Sequence, residues 1–275
     1  IKKRDGRAVL FDSQKVEKTL QRAAKGLEKD VSFGLIQQEM LKNIYDGLTT
    51  EDLETALVLS STAFIEKDPS YSKLASRLFL QKLYKEVLQK SVSQDILGIA
   101  YREAFVDTIK YCVKRGYLDK KLLDFDLQKL SWGLKIDRDD QFQFIGLQTL
   151  YERYFLKDDG RRLELPQIFF MRVAMGLAID EENKEEKALE FYEVLSSFRF
   201  MASTPTLFHA GTSHPQLSSC YLSSVDDDLK SIFKAYSDNA MLSKWSGGLG
   251  NDWTNIRGTG AWIKTTNVES QGVIP

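Results

Sequence analysis

Ser203-Thr204-Pro205-Thr206, Gln216-Leu217-Ser218-Ser219-Cys220 and Ser246-Gly247-Gly248-Leu249-Gly250 fall in one stretch, residues 200–275, that holds 11 charged residues and 7 glycines. The 199 residues before it hold 66 charged residues. A charged, helix-rich front therefore precedes a neutral, turn-rich back, and such neutral segments often form buried strands and ligand loops. Small hydroxyls around a lone cysteine suit a pocket in which the hydroxyls bind a ligand and Cys220 acts as a redox thiol. The plainer reading makes Cys220 a small core hydrophobe beside a Ser/Thr-rich turn. The glycines at 247, 248 and 250, and those of Arg257-Gly258-Thr259-Gly260, permit close backbone approach to a ligand, but neither group completes GxGxxG. Asp226-Asp227-Asp228 precede a periodic stretch reaching about Leu242. They are suited either to cap that helix or to accept hydrogen bonds from a ribose or base.

Working back from there, residues 92–200 read mostly as helix, with 187–200 strongly periodic and Asp158-Asp159-Gly160 a turn between two short extended pieces. Cys112 lies within a helical stretch and reads as structural. At the front, Asp5-Gly6 between short extended runs predicts a hairpin. Asp12 or Ser13 then caps a helix with Val16, Leu20, Ala24 and Leu27 on one face. A second helix is expected over 33–45. A third follows Thr49 and Thr50, with Leu53, Ala56, Leu57 and Phe64 inward. A fourth runs over 70–90 after Asp68-Pro69-Ser70, carrying Tyr71, Leu74, Leu78 and Leu83. The first 30 residues carry nine Lys/Arg and five Asp/Glu. Lys3, Arg4, Arg7 and Lys15 around a turn and a helix start suit either a phosphate site or a solvated charged hairpin.

The 275 residues, with 38 Lys+Arg against 39 Asp+Glu and 43% hydrophobic content, are those of a globular protein with a real core. A net charge of −1 argues against broad attraction to nucleic acid or anionic membrane. No apolar run is long enough to span a bilayer, and the opening Ile-Lys-Lys-Arg lacks a secretory signal, so a cytoplasmic setting is expected. Two Cys and two His make neither a disulfide framework nor a four-ligand zinc site, and no metal site is expected. No GxxxxGK[ST] loop occurs.

Taken in order, the three opening motifs, with Ile256-Arg257-Gly258-Thr259-Gly260 and Asn267…Gln271-Gly272-Val273-Ile274-Pro275, resemble the large (α) subunit of class I ribonucleotide reductase. Lys3-Arg4-Asp5-Gly6 through Lys85 is similar to that family's ATP-cone. The resemblance implies an α/β fold with three parts. These are a cone of a β-hairpin and four helices over 1–91, a mostly helical region over 92–199, and the first strands of a ten-stranded α/β barrel over 200–275. It implies radical-based reduction of ribonucleoside diphosphates to deoxyribonucleoside diphosphates under allosteric control. Lys3, Val9, Leu10, Phe11, Asp12, Ser13, Gln14, Lys15, Thr50 and Lys85 fall at the activity site for ATP or dATP. Thr204, Ser219 and Gly248 fall at substrate-binding positions. Cys220 matches one of two thiols that become a disulfide as the 2′-hydroxyl leaves as water, in a pocket that keeps water from the radical. Asp227, Arg257 and Lys264 fall at the specificity site for a deoxynucleoside triphosphate at a dimer interface.

The implied partners are a metal-containing, radical-generating small (β) subunit, a second copy of the chain in a homodimer or larger assembly, and thioredoxin or glutaredoxin as reductant. The radical-bearing Cys, the second thiol, the Asn/Glu acid–base pair and the relay tyrosines are expected beyond Pro275, making this an amino-terminal portion that is inactive alone. Residues 200–275 in isolation are expected to expose strand edges. Two alternatives stand: a non-catalytic nucleotide-sensing cone, and a cobalamin-dependent reductase of the same barrel family.

Overall fold

A computed structural model of the chain describes residues 1–3, 6–245, 247–264 and 266–272. Arg4, Asp5, Ser246 and Val273-Ile274-Pro275, all used in the motif reading above, lie outside them.

The first unit is built on a short strand-like entry. Lys2 pairs antiparallel with Ala8, and the Lys3 N–H donates to the Arg7 carbonyl and the Val9 N–H to the Ile1 carbonyl on either side of that pair, so the expected hairpin is present and short; Lys2 also pairs parallel with Thr49. Gly6 supplies the positive φ (+84°) its turn requires. Four helices follow: α1 (Ser13–Ala23), α2 (Phe33–Leu41), α3 (Thr50–Thr62) and α4 (Ser70–Leu88). Asp12 caps α1 by accepting from the Gln14 N–H. Thr49 and Asp52 form a reciprocal capping box at α3. Val16, Leu20, Leu57, Leu74, Leu78 and Leu83 meet in the core, as their helical spacing predicts.

The differences from expectation are at helix ends. Ala24 and Leu27 sit in turns after α1, and Phe64 lies past the end of α3, though all three still pack on the core. The second helix ends at Leu41 rather than 45, where the Asn43 side chain turns back to donate to the Glu39 carbonyl and competes with the helical ladder.

The middle region is helical: α5 (Gln94–Lys114), α6 (Leu127–Gly133), α7 (Phe144–Thr149), α8 (Pro166–Leu177) and α9 (Lys184–Ser196). The last of these starts three residues before 187 and stops before 200, because Phe198 adopts a left-handed φ of 59°. Between α7 and α8, β1 (Lys157–Asp158) and β2 (Arg161–Arg162) pair across the expected turn. Asp159 and Gly160 both have positive φ there, as a two-residue hairpin of type I′ demands.

Helix α8 is buried along residues 166–175, and it carries a charge inside. Arg172 and Glu164 are each 0% exposed. Arg172 Nε lies 2.7 Å from Glu164 Oε1, and Glu164 Oε2 accepts from the Leu156 N–H. Arg172 Nη1 donates to the Ala210 carbonyl at 2.8 Å. A second buried cluster joins the first unit to the middle region. Asp139 accepts from Tyr84 of α4, Tyr101 of α5 and the Gln167 side chain of α8, and Gln167 in turn accepts from Tyr192 of α9. Beside it, Arg77 of α4 pairs with Asp140 at 2.7 Å and donates to the Ala23 and Lys25 carbonyls at the end of α1.

The neutral segment contains α10 (Thr204–His209), β3 (Cys220–Ser224), α11 (Leu229–Lys244), β4 (Gly248–Asp252) and a small antiparallel pair, β5 (Trp262–Ile263) with β6 (Val268–Glu269). Strands β3 and β4 are parallel and joined through α11, the βα crossover of an α/β barrel. The expectation that these strands are buried is corrected: Leu222 is 90% exposed, and most of β3 is open. A two-stranded pair with one helix has too few layers to cover both faces.

Two outcomes are expected from this packing. Arg172→Met leaves Glu164 buried without its cation and lowers unfolding free energy by about 3–5 kcal/mol in urea titration, whereas Arg172→Met with Glu164→Leu recovers most of it; equal losses in both would refute the pairing. Burial pushes the Asp139 carboxyl up to about 7. The native state thus holds that proton more tightly than the unfolded chain, and the stability due to Asp139 falls as pH rises from about 4 towards 7. The stability of wild type relative to Asp139→Asn should therefore fall between pH 5 and pH 8; a relative stability that does not move would discount this titration.

Candidate functional site

A cleft of about 1530 Å³ opens in the first unit between the amino-terminal strand, α1 and α4. Lys3, Val9, Leu10, Phe11, Asp12, Lys15, Thr50 and Lys85 line it, and Ser13 and Gln14 line an adjoining lobe with Lys3 and Lys15. The ten residues expected at an activity site are thus brought to one place from three segments: the strand and its sequel, the start of α3, and the last turn of α4. The bridge from Lys2 to Thr49 is what sets Thr50 beside Lys3. Lys18, Arg22, Lys25 and Lys82 add positive charge along the walls. Facing carboxylates hold part of that charge in place: Lys85 pairs with Glu54 at 2.5 Å and Lys82 with Glu51 at 3.8 Å. An ammonium with three donors keeps capacity for a ligand oxygen after one such pairing. Leu10, 93% exposed at the rim, offers an apolar surface to a base or sugar.

Sequence reasoning missed the depth of this cleft. It continues past α1 to Arg77, Gly98, Ile136, Asp139 and Asp140, so its far wall is the junction with the middle region. Those residues come from α4, α5 and the segment 136–140 and share no motif.

A second constellation surrounds Cys220. Thr204 opens α10 and its hydroxyl lies 3.0 Å from the Tyr154 hydroxyl. Thr206 donates to the Leu217 carbonyl and His209 Nδ1 meets the Gln216 carbonyl at 3.0 Å, tying α10 to the segment that leads into β3. The Gly248 N–H donates to the Ser219 carbonyl at 2.7 Å, and Gly248 pairs in register with Cys220. A Cβ on Gly248 would stand 3.3 Å from the Cys220 sulfur, so glycine keeps that side of the thiol clear. Ser219, Cys220 and Gly248 are therefore neighbours. Thr204 is linked to them through α10, and no direct bond joins it to them among the described residues. Cys220 is exposed and lines neither cleft, which corrects the expectation of a water-excluding pocket around it. Two strands and their loops cannot close over a sulfur at a strand start. Cys112, by contrast, is buried, and burial pushes its thiol up to about 12, in keeping with a structural role.

At a third place Arg257 Nε pairs with Asp227 at 2.6 Å beside the start of α11, whose cap is the neighbouring Asp228. Lys264 stands apart on the exposed turn between β5 and β6. Among the described residues no cluster of His, Cys, Asp and Glu could hold a metal ion, and no helix is long and apolar enough to cross a membrane.

Three family models match the chain in order: the ATP cone domain over residues 1–86, the ribonucleotide reductase all-alpha domain over 140–215, and the ribonucleotide reductase barrel domain over 218–275. The chain is 46% identical over 276 residues to the ribonucleoside-diphosphate reductase subunit alpha of Chlamydia muridarum, covering 99% of this chain and 26% of that protein. It is 38% identical over 279 residues to the subunit of the same name from Helicobacter pylori, covering 100% and 34%. It is 34% identical over 282 residues to the ribonucleoside-diphosphate reductase large subunit of Danio rerio, covering 99% and 34%. The chain spans about a quarter to a third of the length of these relatives. With a cone, an all-alpha region and a parallel βαβ start arranged in that order, the chain belongs to the family of ribonucleotide reductase large subunits.

Proposed function

We propose that this chain is the amino-terminal portion of a ribonucleoside-diphosphate reductase large subunit, and that its first unit binds ATP or dATP to control activity. The observation that carries the effector reading is the convergence of Lys3, residues 9–15, Thr50 and Lys85 on one basic cleft. Lys15 and Lys85 neutralise the triphosphate and Lys3 closes the lobe beside it. The redox reading rests on Cys220, exposed at the start of β3 beside a glycine and a serine. In the reaction, Cys220 and a second thiol each give up a proton and one electron and become joined as a disulfide; one of the two protons leaves with the 2′-hydroxyl and the other, with the electron pair, makes the new C–H bond at C2′. The 2′-hydroxyl of the ribonucleoside diphosphate leaves as water, and the deoxyribonucleoside diphosphate remains. A metal-containing small subunit supplies the radical that starts this step, and thioredoxin or glutaredoxin restores the thiols in the cytoplasm.

Thr204, Ser219 and Gly248 are assigned to the substrate, and Asp227, Arg257 and Lys264 to a deoxynucleoside triphosphate that sets specificity. The exposed apolar residues of α11, Leu229, Phe233 and Tyr236, support pairing of two copies at that site.

In calorimetric titration the chain should bind ATP or dATP, and Lys15→Ala and Lys85→Ala should each weaken binding about tenfold, the loss of about 1.4 kcal/mol. No heat at millimolar nucleotide would count against the cone reading. Aromatic disulfide reagents should modify Cys220 in the native chain and reach Cys112 only after denaturation. In the active reductase, Cys220→Ser should abolish repeated turnover with external reductant, and undiminished steady-state reduction would remove Cys220 from the chemistry.

A further inference from the structure

We infer that Tyr154 is a positioning residue for the substrate, orienting the Thr204 hydroxyl so that its proton points at an acceptor oxygen of the bound ribonucleoside diphosphate. This rests on the assignment of Thr204 to the substrate. The Tyr154 hydroxyl lies 3.0 Å from Thr204 Oγ1. A phenol is a far stronger acid than an aliphatic alcohol, so in that pair the phenol donates and the threonine oxygen accepts. The single threonine proton is then left over. A diphosphate carries only acceptor oxygens along its chain, so a hydroxyl can hold it only by donating. The order Tyr154 O–H to Thr204 O–H to phosphate oxygen satisfies all three groups, and each bond polarises the next.

The local backbone is built to deliver that phenol. Residues Leu150–Tyr154 form a π-turn at the end of α7, in which the Phe155 N–H reaches back five residues to the Leu150 carbonyl. Such turns are rare and concentrate at functional sites, because the extra residue re-aims a side chain. The Tyr154 ring stacks on Phe208 at 4.6 Å and 20°, and it also meets buried Phe169 edge-on. Phe208 stands one helical turn after Thr204, so the one ring touches α10 at two successive turns. This clamps both the position of Thr204 and the direction of its hydroxyl.

The test is a double-mutant cycle in the active reductase, read as kcat and KM for a ribonucleoside diphosphate. Tyr154→Phe keeps the ring stack and removes the donor. It should raise KM about fivefold and lower kcat less than twofold. Thr204→Ala should raise KM at least as much, and Tyr154→Phe with Thr204→Ala should be no worse than Thr204→Ala alone. A wild-type KM in Tyr154→Phe, with Thr204→Ala impaired, overturns the inference. So do additive losses in the double variant, which would make Tyr154 a structural residue only. An unimpaired Thr204→Ala overturns instead the placement of Thr204 at the substrate.

Discussion

A guanidinium with no water around it must find every partner inside the protein, and Arg172 does. Glu164 takes its charge, and the Ala210 carbonyl just past α10 takes another donor. The pair does not owe its place to stability alone, since a well-packed apolar set could stabilise as much. Its consequence is geometric. It locks the exit of α10 against α8, and at the same point a Cβ on Gly176 would fall 2.0 Å from the Gly211 nitrogen. The backbone can come that close only at glycine, and the approach sets where the neutral segment leaves the helical body. Thr204, the segment 216–219 and Cys220 inherit their positions from this contact.

The nucleotide-sized cleft depends on a different junction. Its walls are α1 and α4, but its floor is shared with the middle region through Asp139 and Asp140. Arg77 holds the end of α1 and Asp140 together, while Tyr84 and Tyr101 reach Asp139 from consecutive helices. The cone is thus not a bead on a string. A ligand pressing on α1 presses on a helix whose far end is tied through Arg77 to the same short segment that anchors α5 and α8.

Much of the first unit was legible because its signals are local. Asp12, Thr49 with Asp52, and the apolar spacing from Val16 to Leu83 each act within a few residues, and their helices stand where those signals put them. Errors gathered at ends, where Asn43 or the left-handed Phe198 wins by a small margin over one more turn. The residues assigned to the activity site came from resemblance; what sets Thr50 beside Lys3, the Lys2 bridge to Thr49, spans 47 residues and has no sequence mark. Tyr154, Arg172 and Asp139 were not singled out, because an aromatic, a cation or an acid in a helical stretch looks the same whether it faces solvent or a partner.

By itself the sequence determined the helices of the first unit, the turn at Asp158-Asp159-Gly160, the neutral character of residues 200–275 and the order of the reductase motifs, since each depends on residue type and short spacing. Only the tertiary structure decided that Cys220 stands open beside Gly248, that Asp227 finds Arg257, and that Arg172 is dry. Those are facts about which distant segments meet and how many layers cover them. Burial and pairing arise from packing of the whole chain, and no residue carries them in its own chemistry.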